Sequence, residues 1–181
     1  MKTLKIFISV MLCVVLFASC GGADTGYFKE KLQDAPAELQ YVPELLADFK
    51  KPENIKITMG DKIVTYFLAA EAEGESGLEY QNINIHLKTH EENINETIDL
   101  IVDSYHSGPE SAVNAVKHIK DEQKYAITYE VRPDLGYTVL NIICAVSDNV
   151  SASYTMRLLS TEDVTQDVLD KICDDAEIIM L

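Results

Sequence analysis

Two histidines four residues apart, His86 and His90, have the residue type and spacing that could hold a metal ion. On a helix this spacing would point both imidazole rings at one ion. The residues around His86 instead alternate between apolar and polar types, which predicts a strand with one buried face. Four residues of strand span about 13 Å, too far for both rings to reach one zinc ion. We therefore predict no metal-binding residues in this segment.

Sequence motifs for catalysis or cofactor binding are missing from the chain. It contains no GxGxxG, no P-loop, no HExxH, no CxxC, no GxSxG and no SxxK. Asp99, Asp103 and His106 share one face of a predicted helix, where a carboxylate could orient the imidazole, but a solvated surface explains the same spacing. We predict no catalytic and no cofactor-binding residues, and we leave open a hydrolase whose residues come from separate loops.

Carboxylates crowd two short segments. One lies at residues 71–75, with three glutamates, and the other at residues 174–177, near the carboxyl end of the chain. Such clusters collect divalent cations weakly or meet a protein partner with a basic face. A solvated surface is the alternative, because runs of charge commonly form the wet side of an element.

The amino-terminal segment has the composition of a signal peptide. Lys2 and Lys5 precede fourteen uncharged residues, 6–19, which end in small side chains beside Cys20. A helix that spans a bilayer needs about 20 apolar residues to cross roughly 30 Å of hydrocarbon, and this run is shorter. The segment therefore favours export over permanent membrane spanning.

The end of this segment, Phe17-Ala18-Ser19-Cys20, resembles the lipobox of bacterial lipoproteins. Phe17 departs from the leucine that is usual in that family. The resemblance covers residues 1–20 and implies a signal peptide at 1–19, cleavage before Cys20, and fatty acyl chains on Cys20 that hold the protein on the cell membrane or the outer membrane. An ordinary secretory signal and a short buried helix are the alternatives. Residues 20–26 contain three glycines and predict a flexible tether.

The charge balance excludes several classes of partner. The chain has 15 Lys and Arg against 30 Asp and Glu; without Lys2 and Lys5 the balance is 13 against 30, a net charge of −17. Phosphate contacts dominate the affinity of proteins for nucleic acids, so nucleic-acid binding is not expected. A basic patch that docks on anionic lipid is not expected either. A protein partner with a basic face fits this charge.

Two cysteines remain after Cys13 leaves with the signal peptide and Cys20 is acylated. Cys144 lies in an apolar run and Cys173 at the edge of a helical stripe. An even number of cysteines in an extracytoplasmic domain permits one disulfide, between Cys144 and Cys173. Two separate thiols, at least one of them buried, are the alternative.

The order of predicted elements indicates one α+β domain over residues 27–181. Its antiparallel sheet has about six strands in two three-strand meanders, with helices before, between and after them. The second of the two middle helices is predicted over residues 110–121, from the spacing of its apolar residues. The expected inward-facing sets of two strands are Ile83, Ile85 and Leu87, and Ala152, Tyr154, Met156 and Leu158. The expected extracytoplasmic location and the missing catalytic motifs together favour a non-enzymatic envelope lipoprotein that binds a protein or a ligand. An envelope assembly or structural accessory is the alternative.

Overall fold

The computed structural model describes residues 25–106 and 114–181. Within them are four α-helices, two short 3₁₀ segments at Ala37–Leu39 and Pro52–Asn54, and ten strands. The helices are α1 (Gly26–Lys31), α2 (Glu44–Ala47), α3 (Ile94–His106) and α4 (Gln166–Asp175). The strands are β1 (Tyr41–Pro43), β2 (Lys56–Gly60), β3 (Ile63–Leu68), β4 (Ala72–Glu73), β5 (Glu79–Thr89), β6 (Asn114–Lys120), β7 (Gln123–Arg132), β8 (Tyr137–Ser147), β9 (Val150–Leu158) and β10 (Ile178–Met180). In these ranges no helix combines the length and the apolar composition that crossing a bilayer requires.

Eight strands form one antiparallel sheet in the order β2-β3-β5-β9-β8-β7-β6, and β4 pairs with part of β5. The β5–β9 pairing joins the strands of the first half of the chain to those of the second half. β1 and β10 form a separate two-stranded sheet, which holds the amino-terminal segment of the fold against its carboxyl end. The α+β class with an antiparallel sheet is confirmed.

One face of the large sheet carries the main core. The predicted inward sets of β5 and β9 are buried on this face, so the alternation of apolar and polar residues identified both strands and their orientation. Phe28, Leu39 and Leu46 from the amino-terminal segment and Ile172 from α4 belong to the same cluster. The helices before and after the sheet therefore cover a single face of it.

The prediction of six strands in two meanders was wrong, since the sheet has eight. The helix expected over residues 110–121 was also wrong: residues 114–120 form β6, and residues 110–113 lie outside the described part of the chain. β6 pairs with β7 through a two-residue turn at Asp121 and Glu122, whose φ angles are 48° and 69°. Positive φ at both central positions is the geometry of a type I′ hairpin, usually made with glycine or asparagine. The sequence at Asp121 and Glu122 has neither of these residues, and so it does not indicate a hairpin turn.

Helix α3 packs on the other face of the sheet. Ile98 is buried against Ala126 in a small second core. Asp99 lies between two lysines, 3.1 Å from the Nζ of Lys117 in β6 and 2.8 Å from the Nζ of Lys124 in β7. The helix packs mainly on β6, β7 and β8, and no other helix of the described residues covers the same face of β3, β5 and β9.

Candidate ligand-binding groove

A groove runs between α3 and the uncovered part of the sheet and encloses a cavity of about 330 Å³. Its lining has four apolar and six polar residues, and comes from α3, from four strands and from the segment that joins β5 to α3. The apolar residues are Ile63, Ile94, Ile101 and Ile143; the polar residues are His86, Lys88, His90, Thr97, Ser151 and Ser153.

The sheet forms the floor of the groove, and the register of its strands sets which polar residues lie next to each other there. Thr65, His86 and Ser153 stand in one row across β3, β5 and β9. Lys88 and Ser151 stand side by side in the next row. All point away from the main core, because they alternate with its buried residues along each strand. The Thr65 hydroxyl lies 2.9 Å from the Nδ1 of His86, which fixes that ring beside the groove.

His90 forms the end of the groove where β5 leads into α3. Its backbone N–H donates to the Asn149 carbonyl at 2.7 Å, and its Nε2 lies 2.8 Å from the Oγ of Ser151. Partial burial, and then the charge of Lys88, lower the pKa of His90 below the usual value for histidine. At neutral pH the ring is therefore uncharged and can accept the hydroxyl proton of Ser151 in a hydrogen bond.

In the part of the chain that the structure describes, no third metal ligand accompanies His86 and His90. Among residues 25–106 and 114–181, no three His, Cys, Asp or Glu side chains gather in a way that could hold a metal ion. His86 lies in β5, as the alternation predicted, and His90 comes directly after that strand.

The two remaining cysteines lie on the opposite side of the sheet from the groove. Cys144 in β8 and Cys173 in α4 are free and buried in the main core. Burial raises the pKa of each thiol to about 12, so neither is a ready nucleophile at neutral pH. A disulfide between Cys144 and Cys173 stays a prediction. Cys20, the predicted site of acylation, lies outside the described residues.

The two carboxylate segments meet in space. Five carboxylates lie around two adjoining cavities, and we call them the acidic cluster: Glu44 of α2, Glu73 of β4, Glu75, Asp174 of α4, and Glu177 two residues beyond α4. Burial, and then the charges of neighbouring carboxylates with Glu177 foremost, raise the pKa of Glu44. Both segments are visible in the sequence, but their proximity depends on how α4 packs.

Asp175 lies beneath this cluster and connects α4 to the turn before β5. Only 3% of its surface is exposed, and its carboxyl group accepts hydrogen bonds from the Ser76 N–H at 3.1 Å, the Ser76 hydroxyl and the Tyr80 hydroxyl at 2.8 Å. A Cβ atom on Gly74 would lie 2.2 Å from the Cγ of Asp175. The close approach requires glycine at position 74.

The groove itself was not foreseen. Its histidines were considered for metal binding, whereas Ser151 and Ser153 were not singled out. Both serines alternate with the buried residues Ala152 and Tyr154 along β9, and His86 alternates with the buried residues of β5. The alternation in the sequence therefore shows that all three face away from the main core, but only the pairing of β5 with β9 places them side by side.

Comparisons with protein-family models, with curated proteins and with solved structures gave no match to this chain.

Proposed function

We propose that this chain is a membrane-anchored extracytoplasmic lipoprotein of the bacterial cell envelope. In this proposal its mature domain is non-enzymatic and binds a small ligand in the groove between α3 and the sheet. The single observation that carries the binding function is the groove itself. A cavity in which polar groups converge beside apolar side chains is the usual form of a ligand site, and the volume of this groove falls at the small end of the range for such sites.

The anchoring part of the proposal is supported by the lipobox resemblance at residues 17–20 and the glycine-rich tether that follows. Each buried methylene contributes about 0.8 kcal/mol, so two or three acyl chains hold a protein on a bilayer. Mass spectrometry of the protein from bacterial membranes should give a chain that begins at Cys20 and carries fatty acyl groups. Cys20→Ala should leave the domain folded and release it from the membrane; retention in the membrane fraction would contradict lipidation.

The binding part can be tested by filling the groove from its helix side. Thr97 lines the groove, whereas Leu100, three residues further along α3, is 68% exposed on the outer side. Thr97→Trp should abolish binding of hexan-1-ol, measured by saturation-transfer NMR on the full chain in lipid nanodiscs, because the indole occupies the cavity. Leu100→Trp is the matched control and should bind as the unaltered chain does.

A second pair of variants keeps this test independent of helix packing. Ser153→Trp fills the groove from the sheet, and Thr155→Trp adds the same bulk two residues along the same face of β9, outside the lining. Equal binding by the filled and control variants of both pairs would refute the groove as the binding site.

A hydrolase is the second candidate, and one observation favours it. The 2.8 Å contact between Ser151 Oγ and His90 Nε2 has the geometry of a nucleophile beside its general base. Turnover of p-nitrophenyl hexanoate that is lost in Ser151→Ala and kept in Ser153→Ala would establish catalysis. Absence of turnover above the uncatalysed rate, together with ligand binding, is the outcome expected of a binding protein.

An assembly or structural accessory of the envelope is the further alternative. Its support is the acidic cluster, whose charge fits a protein partner with a basic face. Capture of one partner at low salt and its loss at high salt would favour this role. The partner should also be lost in a variant with Glu75→Gln and Glu177→Gln, and kept in Thr97→Trp.

A further inference from the structure

The groove carries a positive charge in an acidic protein. The whole chain has a net charge of −15, yet the lining of the groove includes the Lys88 ammonium group and, over the described residues, no Asp or Glu. Lys88 is exposed at the mouth, and no ion pair joins it to the described carboxylates. Its charge contributes to the lowered pKa of His90, so its field reaches into the groove.

The first turn of α3 adds to this field. Ile94 and Thr97 line the groove from the beginning of a 13-residue helix. The peptide dipoles of a helix sum to about half a positive charge at its amino end. Lys88 and this helix end therefore act on the groove with the same sign.

The carboxylates around the groove, including Glu96 in the first turn of α3, lie outside its lining. Glu91 pairs with Lys62 at 3.2 Å, and both side chains are largely exposed. Glu91 and the exposed Glu92 line a neighbouring shallow cavity, which they share with Lys62 and with Lys88 and His90 of the groove. Asp99 on α3 is held by the lysines of β6 and β7. The groove is therefore electrostatically complementary to an anion.

We propose that the ligand of the groove is a small carboxylate with a short apolar chain. This inference rests on the proposed binding function and adds the class of ligand. The apolar chain packs against the four isoleucines, where contact with water is lost. The carboxylate lies at the mouth, near the Lys88 ammonium group, and accepts hydrogen bonds from the Ser153 hydroxyl and the imidazole N–H groups of the floor.

The test compares three probes that have the same six-carbon chain and differ in the head group: hexanoate, hexan-1-ol and hexylamine. Each is titrated by NMR into the full chain in nanodiscs, and empty nanodiscs correct for partition into lipid. Hexanoate should bind most tightly and hexylamine most weakly. A rise in NaCl from 50 to ~500 mM should weaken hexanoate more than hexan-1-ol, because salt screens only the charged contact.

Two lysine variants separate the groove charge from the total charge. Lys88→Gln should weaken hexanoate roughly two- to fivefold, the range of an exposed ion pair, and leave hexan-1-ol unchanged. Lys56→Gln removes the same charge from β2, outside the lining, and should change neither affinity.

The outcomes distinguish this inference from the function on which it rests. Hexylamine or hexan-1-ol binding as tightly as hexanoate, or Lys88→Gln having no effect on hexanoate, would overturn the carboxylate class. If those probes were still excluded by Thr97→Trp, the groove would stand as a binding site. If Thr97→Trp left the binding of all three probes unchanged, both proposals would be overturned.

Discussion

Replacement of Gly74 by alanine should be among the most damaging single-methyl additions to this domain. The new Cβ would lie 2.2 Å from the Cγ of Asp175 and 2.3 Å from each of its carboxyl oxygens. Atoms of a folded protein do not approach so closely, so the carboxyl group or the turn has to move. The carboxyl group is held by Ser76 and Tyr80, and movement breaks these hydrogen bonds in a buried place.

The expected cost follows from those bonds. Hydrogen bonds to a charged group contribute about 1.5–3 kcal/mol each, so the loss of two of the three bonds to Asp175 costs at least about 3 kcal/mol. We therefore expect Gly74→Ala to lower the free energy of unfolding by about 3–5 kcal/mol. Urea denaturation followed by circular dichroism measures this change.

Gly77, three residues further along the same turn, provides the control. It has φ of +81° and no atom within 4 Å of an added Cβ, so Gly77→Ala should cost only the left-handed backbone strain, about 1–2 kcal/mol. In an Asp175→Ala background the clash is gone, and Gly74→Ala should then cost much less than it does alone. A Gly74→Ala chain as stable as Gly77→Ala would refute the reasoning.

Three further predictions concern titration and the cysteines. Glu44→Gln should raise stability at pH 7, because the raised pKa of Glu44 means that its charge is unfavourable in the folded state; the gain should vanish below about pH 4.5, as thermal melts over that range would test. Because the pKa of His90 is lowered in the fold, its uncharged ring stabilises the folded state, and this stabilisation is lost as the pH falls below the 6.5 of the unfolded chain. His90→Asn should therefore lose less stability than the unaltered chain over this pH range; equal losses in urea denaturation would contradict this. Cys144 and Cys173 should resist maleimide in the folded protein and take up two labels after unfolding without reductant; no labels would indicate a disulfide.

Local patterns in the sequence identified most strands of this fold. The alternation around Ile85 and around Tyr154 fixed which side of each strand is buried, and both residues have no exposed surface. Gly136, with φ of +77°, closes the turn between β7 and β8 in a backbone conformation that glycine adopts without strain. Periodicity and turn residues act over a few positions, so a single sequence contains these signals.

Strand β6 shows where local patterns mislead. Ala115, Val116 and Ile119 fit the spacing of a helix, and the turn at Asp121 and Glu122 has no glycine. The strand forms because it pairs with β7 over seven residues, an interaction between segments that helix spacing does not report.

The groove could not be derived for a related reason. His86 and Ser153 are 67 positions apart in the sequence, and they become neighbours only through the β5–β9 register. If β5 paired with another strand, His86 and Ser153 would lie on solvent-facing surfaces of the sheet without forming a common site. The candidate site is thus a property of strand pairing, which a single chain does not encode in any short motif.

Isoleucine methyl NMR tests the groove most directly, because this residue type lies both in the groove and in the main core. Ile63, Ile94, Ile101 and Ile143 line the groove, whereas Ile85 and Ile142 are buried on the opposite face of the sheet. Titration of the full chain in nanodiscs with hexanoate should shift the four groove methyls along one saturating curve and leave the two core methyls in place. Shifts confined to other isoleucines, or no shift at any concentration that leaves the protein folded, would contradict a ligand site between α3 and the sheet.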